Sequence, residues 1–344
     1  MLSDLTLDEL REYRPQVAEP ADFDEFWAGE LTAARAEGEE PSFTPVDGPV
    51  RHAEVFDVTF PGYGGEPVRG WLLVPRELAP DAAVIVEFIG YGGGRGTPAE
   101  HMLLPAVGYA LLVMDSRGQG GRWASGATPD GATGTGPENS LVMTRGITSP
   151  EDYYYTRMFT DAARAVDTAI ELAGAAPGTA PAGTAPGAGA GIAVTGGSQG
   201  GALALAAAAL RPDAVRVCHA DVPFLCDIQR AITLAPHAPY TEIPEFLAKN
   251  VQLIEPTLNT LRYIDCALLA RRITAATLMS VGLMDDICPP STVFAAYNEI
   301  TADKEIAVFP YSGHDWPAAH AERQLAHLRD HLPGYAAPSR TSRG

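Results

Sequence analysis

One serine in the chain has the surroundings that a catalytic nucleophile requires. Ser198 occupies the central position of a G-x-S-x-G motif, with Gly196 and Gly200 at the outer positions. A short apolar run precedes this motif, and an alanine-rich helical pattern over residues 199–210 follows it directly. Such a strand–turn–helix order holds a serine on a sharp, strained turn, around which only glycine fits closely. The motif therefore predicts nucleophilic catalysis by Ser198, with the positive end of a helix dipole beside any developing anion.

A serine nucleophile needs a general base and a third group that orients the base. In hydrolases with this type of turn, the acid and then the histidine follow the serine along the chain. Two downstream apolar runs end in suitable residues, the first at Asp285 and Asp286 and the second at His314. His314 is the expected base, because it follows a strand–turn break at the sheet edge where sites collect. Both aspartates remain candidates for the orienting acid, since adjacent residues point in different directions and only one can hold the histidine.

Two backbone amides are expected to stabilise the oxyanion of the reaction. One belongs to Gln199, the residue after the nucleophile, and the other to Tyr91 in the glycine-rich segment 90–96. A phosphate-binding function for this segment is disfavoured, because it lacks G-x-x-x-x-G-K-[ST] and its glycines miss the G-x-G-x-x-G spacing. A purely structural turn is the remaining alternative.

The elements that must position these residues follow from the hydrophobic pattern. Short apolar runs predict buried parallel strands, and they lie at Ala83–Ile89, Ala110–Met114, Ile192–Thr195, Val215–Ala220, Ala276–Val281 and Ile306–Phe309. Helical patterns alternate with them, notably at Asp161–Leu172 and Ala318–Leu332. This alternation predicts an α/β fold with a doubly wound, mostly parallel sheet and helices on both faces.

The rest of the chain is expected to belong to the same domain, which spans residues 1–344. Residues 1–45 predict an N-terminal helical extension, and the turn between EVFDVTF and VRGWLLVP predicts a hairpin over about residues 53–74. Residues 173–191 contain only Ala, Gly, Pro and Thr, a composition typical of a flexible surface loop.

Composition excludes several classes of partner. The net charge of −19 over 344 residues argues against nucleic acid and anionic membranes, because both require basic patches. The four cysteines lack C-x-x-C spacing, the N-terminus has no signal-peptide pattern, and no apolar run reaches the roughly 20 residues of a membrane span. We expect a cytoplasmic protein without a cofactor or a bound metal.

Three further features are interpreted as structural. His219 lies within an apolar run and is expected to be a core residue. His327 and His331 stand four residues apart on the last helical pattern, but a solvated helix face is favoured over a metal pair because no third ligand is evident. The three tyrosines at 153–155 cannot share one face, so packing or a subunit contact is favoured over a sugar-binding platform.

Seven sequence motifs occur in order along the chain. They cover Gly90–Gly96, Met114–Gly120, Met143–Val166, Gly196–Gly201, Asp221–Cys226, Pro239–Ile243 and Gly282–Asn298. Together they resemble the acetyl xylan esterase / cephalosporin C deacetylase family of carbohydrate esterases, from Leu5 to about Leu332. The resemblance implies an α/β-hydrolase fold and a metal-free serine esterase that removes acetyl groups from small acetylated esters or sugars.

The same resemblance implies roles for individual residues. Ser198 is then the nucleophile, His314 the base and Asp285, rather than Asp286, the orienting acid. Arg117, Gly118 and Gln119 match the family's RGQ signature, which implies a buried brace beside the site. The family also implies a homo-oligomer, a hexamer by this resemblance. The chain departs from the family pattern at Asp315, where a glutamate usually follows the histidine, and in the long loop at 173–191.

Overall fold

The computed structural model describes residues 4–78, 82–131, 141–174 and 191–332. Its strands are β1 (Ser42–Pro45), β2 (Ala53–Pro61), β3 (Pro67–Pro75), β4 (Val84–Phe88), β5 (Ala110–Met114), β6 (Ile192–Gly197), β7 (Val215–Asp221), β8 (Ala276–Gly282) and β9 (Lys304–Phe309). Its α-helices are α1 (Leu7–Glu12), α2 (Phe23–Ala36), α3 (Leu103–Ala106), α4 (Tyr154–Gly174), α5 (Gln199–Leu210), α6 (Ile228–Leu234), α7 (Glu242–Leu247), α8 (Ile254–Tyr263), α9 (Cys266–Leu269), α10 (Pro290–Glu299) and α11 (His320–His331).

The described strands form one sheet in the order β1-β2-β3-β5-β4-β6-β7-β8-β9. The pairs β1–β2, β2–β3 and β3–β5 are antiparallel, and every later pair is parallel. The doubly wound, mostly parallel sheet predicted from the apolar runs is confirmed, and so is the hairpin, which β2 and β3 form. Parallel strands end at a common edge, so the segments that follow β4, β6, β7, β8 and β9 are brought together.

Helices cover both faces of the sheet, which explains why its central strands are apolar throughout. Val86 and Phe88 of β4 belong to the larger core, which includes α4, α5, α9 and α10. Ile85 points to the opposite face and joins a smaller core with Leu328 of α11. The alternation follows from the period of two residues along a strand.

Helix α5 begins immediately after the candidate nucleophile and is buried along almost its whole length. Every residue from Gln199 to Ala209 is buried. A helix that is apolar on all sides must be shielded from water, and the alanines of α5 let β6, β7 and α4 approach closely. The turn before α5 is therefore fixed by packing on both sides.

Two parts of the sequence interpretation need correction. Residues 42–45 form strand β1 rather than part of the helical extension, because Phe43 pairs with Val58 on the edge of the sheet. Ala173 and Gly174 complete helix α4 instead of opening the predicted loop. Residues 175–190 of that loop lie outside the described residues, and Gly191, its last residue, directly precedes β6. The assignment of residues 1–344 to one domain stays a prediction. None of the described helices has the length and apolar character to cross a membrane.

Candidate active site

Ser198 lies on the sharp turn between β6 and α5 and has a backbone conformation that L-residues rarely adopt. Its φ is 58° and its ψ is −120°. The flanking glycines are required by close packing, since a Cβ on Gly200 would lie 2.2 Å from the carbonyl oxygen of Phe88 and one on Gly196 would lie 2.4 Å from the Gly200 backbone. The Ser198 amide donates to the Asp221 carbonyl oxygen at 2.8 Å, which helps to hold the strained turn.

His314 contacts both of the residues with which it was expected to act. Its Nε2 lies 2.8 Å from Ser198 Oγ, and its Nδ1 lies 2.9 Å from Asp285 Oδ2. Because the Asp285 oxygen accepts, Nδ1 carries the ring proton and Nε2 is left to accept the serine proton. The three side chains thus form a continuous hydrogen-bonded relay from a buried acid to a hydroxyl that lines a cavity.

The loop after β8 brings Asp285 to the histidine and turns Asp286 away from it. Asp285 is fully buried, and its Oδ1 accepts from the amides of Ile287 and Cys288 at 2.8 Å each. Asp286 is exposed and lies 3.4 Å from Nε2 of His237. Of the two aspartates that the sequence pattern left as candidates, only Asp285 therefore lies within hydrogen-bond distance of His314.

Of the two residues with expected oxyanion amides, Tyr91 borders the same cavity as Ser198, and Gln199 follows Ser198 directly in the chain and is buried. The Gln199 amide is at the first turn of α5, where no intrahelical acceptor exists. Within the described residues, neither this amide nor that of Tyr91 donates to another backbone group. An oxyanion at Ser198 would therefore find donors that are not already engaged with the backbone.

A buried hydrogen-bond network connects the segment of Tyr91 to the start of α5. Gln119 accepts from the Gly92 amide at 2.6 Å and donates to Gln199 Oε1 at 2.9 Å. The Gln199 side chain in turn donates to the Ile89 carbonyl oxygen at 3.1 Å. Tyr155 donates its hydroxyl to Gln199 Oε1 at 3.1 Å. Both loops that carry the candidate oxyanion amides are thus held by buried, hydrogen-bonded side chains.

Arg117 and Gly118 directly precede Gln119 of this network in the chain. The fully buried Arg117 guanidinium pairs with both carboxyl oxygens of Asp161, at 2.6 and 2.8 Å, and with Glu66 at 2.5 Å. Burial lowers the pKa of Arg117, but its acidic partners outweigh burial and raise it. Gly118 has φ of 63°, and a Cβ there would meet the Cβ of Asp130 at 2.9 Å. Neither residue contacts the triad, which agrees with the expected position of a brace.

The cavity at Ser198 has a volume of about 620 Å³ and a mainly apolar wall. Two exposed tryptophan rings border it: Trp123 is 62% exposed and Trp316 is 39% exposed. Trp123 donates Nε1–H to the Tyr91 carbonyl oxygen at 2.9 Å. Trp316 lies over Gly197, where a Cβ would come within 2.4 Å of the ring. The sequence interpretation missed both tryptophans, although each lies close to a segment with an assigned residue.

Three tyrosines and His219 that the sequence analysis interpreted as structural are placed as expected, whereas His327 is not. The tyrosines at 153–155 are fully buried, so packing is confirmed and an exposed platform is excluded. His219 is a core residue as expected, and burial together with neighbouring histidines lowers its pKa. The prediction of a solvated face is wrong for His327, which is 6% exposed and lies 3.1 Å from His219. Among the described residues, no group of three or more His, Cys, Asp or Glu side chains could hold a metal ion.

Comparisons with known proteins agree over most of the chain. The sequence model of the family described as acetyl xylan esterase (AXE1) matches residues 1–332. Acetyl esterase Axe7A of Xylanibacter ruminicola is 28% identical over 305 residues, which are 88% of this chain and 65% of that relative's length.

Two solved structures of similar length superpose closely on this fold. The acetyl xylan esterase from Paenibacillus sp. R4 has a TM-score of 0.84 and 33% identity, with 95% of this chain and 100% of that one covered. Acetyl xylan esterase 1 from Thermoanaerobacterium sp. JW/SL YS485 has a TM-score of 0.81 and 31% identity, with 95% and 99% covered.

Proposed function

Because the chain belongs to the acetyl xylan esterase family, we propose that it is a serine esterase that removes acetyl groups from small substrates. The observation that carries this proposal is the relay from Asp285 through His314 to Ser198 Oγ, with hydrogen bonds of 2.9 and 2.8 Å. Ser198 is the proposed nucleophile, His314 the base and Asp285 the acid that orients the base. The proposed oxyanion donors are the amides of Tyr91 and Gln199.

The reaction follows from these roles. His314 Nε2 takes the proton of Ser198 as Oγ attacks the acetyl carbonyl carbon. The Tyr91 and Gln199 amides stabilise the resulting oxyanion, each lowering the barrier by about 3 kcal/mol. His314 then returns the proton to the departing alcohol, which leaves an acetyl group on Ser198. Water then attacks this acetyl-enzyme as His314 takes its proton. The bond between the acetyl carbon and Ser198 Oγ breaks, His314 returns the proton to Oγ, and acetate is released.

The wall of the cavity supports a sugar or another flat, partly apolar alcohol as the second half of the substrate. Trp123 and Trp316 present exposed rings beside Ser198, and the apolar face of a sugar ring packs well against such surfaces. The relatives named above are described as acetyl esterases or acetyl xylan esterases. We therefore propose acetylated xylo-oligosaccharides as one substrate class and cephalosporin C-like acetyl esters as another.

The alternative within the same fold is a serine hydrolase for longer acyl chains or for peptides. Hydrolysis of p-nitrophenyl acetate, butyrate and octanoate separates these activities, with Ser198→Ala in parallel. Activity confined to acetate and lost in the variant is the expected result. Equal or greater activity on octanoate would favour the longer-chain alternative, and an unaffected Ser198→Ala variant would refute the role of Ser198.

Two properties of the whole protein are proposed from the family resemblance and the sequence. One is assembly as a homo-oligomer, a hexamer by family resemblance, which sedimentation or light scattering of the purified protein tests directly. The other is a cytoplasmic location, which fractionation of the source cells tests.

A further inference from the structure

Asp221 is the last residue of β7 and has a contact with the nucleophile through its backbone. Its carbonyl oxygen accepts the Ser198 amide at 2.8 Å. Three residues later, the Phe224 amide donates to the Ser198 carbonyl oxygen at 3.0 Å. The strained peptide of the nucleophile is thus held from both sides by the segment that begins at Asp221.

The side chain of Asp221 has a second set of partners, on helix α11. Its Oδ1 lies 2.8 Å from His320 Nε2, and its Oδ2 accepts from Gln324 Nε2 at 2.8 Å. The residue is 3% exposed, so its carboxyl group is largely shielded from water and these two donors stabilise it. His320 and Gln324 are four residues apart and share one face of the helix, which lets a single carboxyl group hold both.

Helix α11 begins where the loop of the candidate base ends. His314 lies in the segment 310–319 between β9 and α11. The His320 ring packs edge-on against Phe309, the last residue of β9, with ring centroids 5.5 Å apart. The two ends of the His314 loop therefore meet at His320, and the carboxyl group of Asp221 fixes that junction.

From these contacts we propose that Asp221 is a positioning residue that sets His314 against Ser198. Its backbone fixes the nucleophile and its side chain fixes the base of the loop that carries His314, so one residue links the two reacting groups. The inference rests on the esterase activity proposed above. It assigns to Asp221 no contact with substrate.

The backbone after Asp221 supports this interpretation. Val222 has φ of 37° and Leu225 has φ of 56°, values that are uncommon for residues with a side chain and least expected for a β-branched one. Strain of this kind persists only where surrounding contacts over-determine it. The bonds of Ser198 to Asp221 and Phe224, and of the Asp221 side chain to α11, are contacts of that kind.

The test compares Asp221→Ala and Asp221→Asn with the wild-type protein on p-nitrophenyl acetate. Alanine removes both bonds to α11 and lets the His314 loop shift, and a displacement near 1 Å lowers kcat by about 100-fold. KM should change less than kcat, because His314 and Trp316 are the lining residues that lie in the shifted loop and the rest of the cavity wall stays in place. Asparagine keeps an acceptor for His320 and can bond Gln324 after rotation of that amide, so it should restore most of the lost kcat.

His327→Leu is the matched control for a merely structural effect. His327 lies two turns beyond His320 on the same helix and docks on His219 of β7, with no bond to Asp221. This variant loosens the helix but leaves the junction of the His314 loop in place. At equal loss of thermal stability, we expect it to keep a kcat close to that of the wild type.

The pH profile of kcat/KM gives a readout that destabilisation alone does not move. Its acidic limb reports protonation of the essential base. A loosened contact between the base and Asp285 should move this limb to lower pH in Asp221→Ala and not in His327→Leu.

Each result decides the inference. An Asp221→Ala protein that is folded, with wild-type kcat and an unmoved limb, would overturn it, as would equal losses of kcat in Asp221→Ala and His327→Leu. If Asp221→Ala does not fold, His320→Gln, which keeps a donor, should retain kcat and His320→Leu should lose it. Equal activity of those two would also overturn the inference. Absence of activity in the wild type would instead refute the proposed function.

Discussion

Replacement of Asp285 by asparagine is the sharpest perturbation of the proposed relay, because it changes one atom type and leaves the shape of the side chain. Oδ1 of Asp285 accepts two amides, from Ile287 and Cys288, at 2.8 Å each. An asparagine must keep its carbonyl oxygen at that position, since an NH₂ group there would face two donors. Its NH₂ group is then forced towards His314 Nδ1, which lies 2.9 Å from the other oxygen in the wild type.

The consequence is the wrong tautomer of the base. Nδ1 of His314 must accept from the asparagine, so the ring proton moves to Nε2, which then donates to Ser198 Oγ instead of accepting from it. A triad in this state loses roughly 10⁴-fold in kcat. That loss corresponds to about 5 kcal/mol of barrier.

The neighbouring residue offers an isosteric control. Asp286→Asn makes the same chemical change on an exposed side chain whose partner, His237, is also exposed. Surface ion pairs of this kind contribute about 0–1 kcal/mol to stability, so kcat should stay near the wild-type value. Steady-state hydrolysis of p-nitrophenyl acetate by the two variants is the assay. A kcat within tenfold of wild type for a folded Asp285→Asn protein, or a larger loss in Asp286→Asn, would refute the reasoning.

Three further predictions concern the surroundings of the triad. Tyr91→Phe keeps the backbone amide but loses the hydroxyl bond to Glu242 at 2.8 Å. It should lower stability by about 1–2 kcal/mol and kcat by less than tenfold. A loss of kcat as large as that of Ser198→Ala in the same assay would identify the phenol as the oxyanion donor. Gly200→Ala places a Cβ 2.2 Å from the Phe88 carbonyl oxygen and should lower both Tm and kcat, whereas Gly29→Ala, whose Cβ meets open space in α2, should leave kcat unchanged and keep or raise Tm. Burial lowers the pKa of His101, but Glu87, the Arg95 carbonyl oxygen and Glu100 together outweigh burial and raise it above its usual value. The charged ring therefore adds stability below the unfolded-state pKa of about 6.5, and this stability is lost as pH rises through the folded-state pKa. Thermal melts should show this loss of stability in the wild type and not in His101→Ala. Equal pH dependence of Tm in the two proteins would contradict the prediction.

The positions of Ser198, His314 and one aspartate could be predicted because local pattern and topology agree there. Each follows an apolar run that forms a parallel strand, and the ends of such strands meet at one edge of the sheet. The choice between Asp285 and Asp286 could not be made from the pattern. It depends on how the loop after β8 turns, which buries one carboxyl group and exposes the other.

Contacts between distant segments account for what the sequence interpretation missed. Tyr155 bonds the side chain of Gln199, 44 positions away, and nothing in a run of three tyrosines indicates that partner. His327 looked like part of a polar helix face, and only the docking of α11 against His219 of β7 buries it. Asp221 directly follows the predicted strand Val215–Ala220, yet its link to α11 spans 99 residues to His320.

A trapped covalent intermediate tests the central claim most directly. The protein is mixed with p-nitrophenyl acetate, quenched in acid within the first turnover, digested and analysed by mass spectrometry. The proposed mechanism predicts one acetyl group on the peptide that contains Ser198, on the serine itself, and no such group in the Ser198→Ala variant. An active enzyme whose acetyl group is found on another residue, or whose Ser198→Ala variant still turns over the ester, would contradict it.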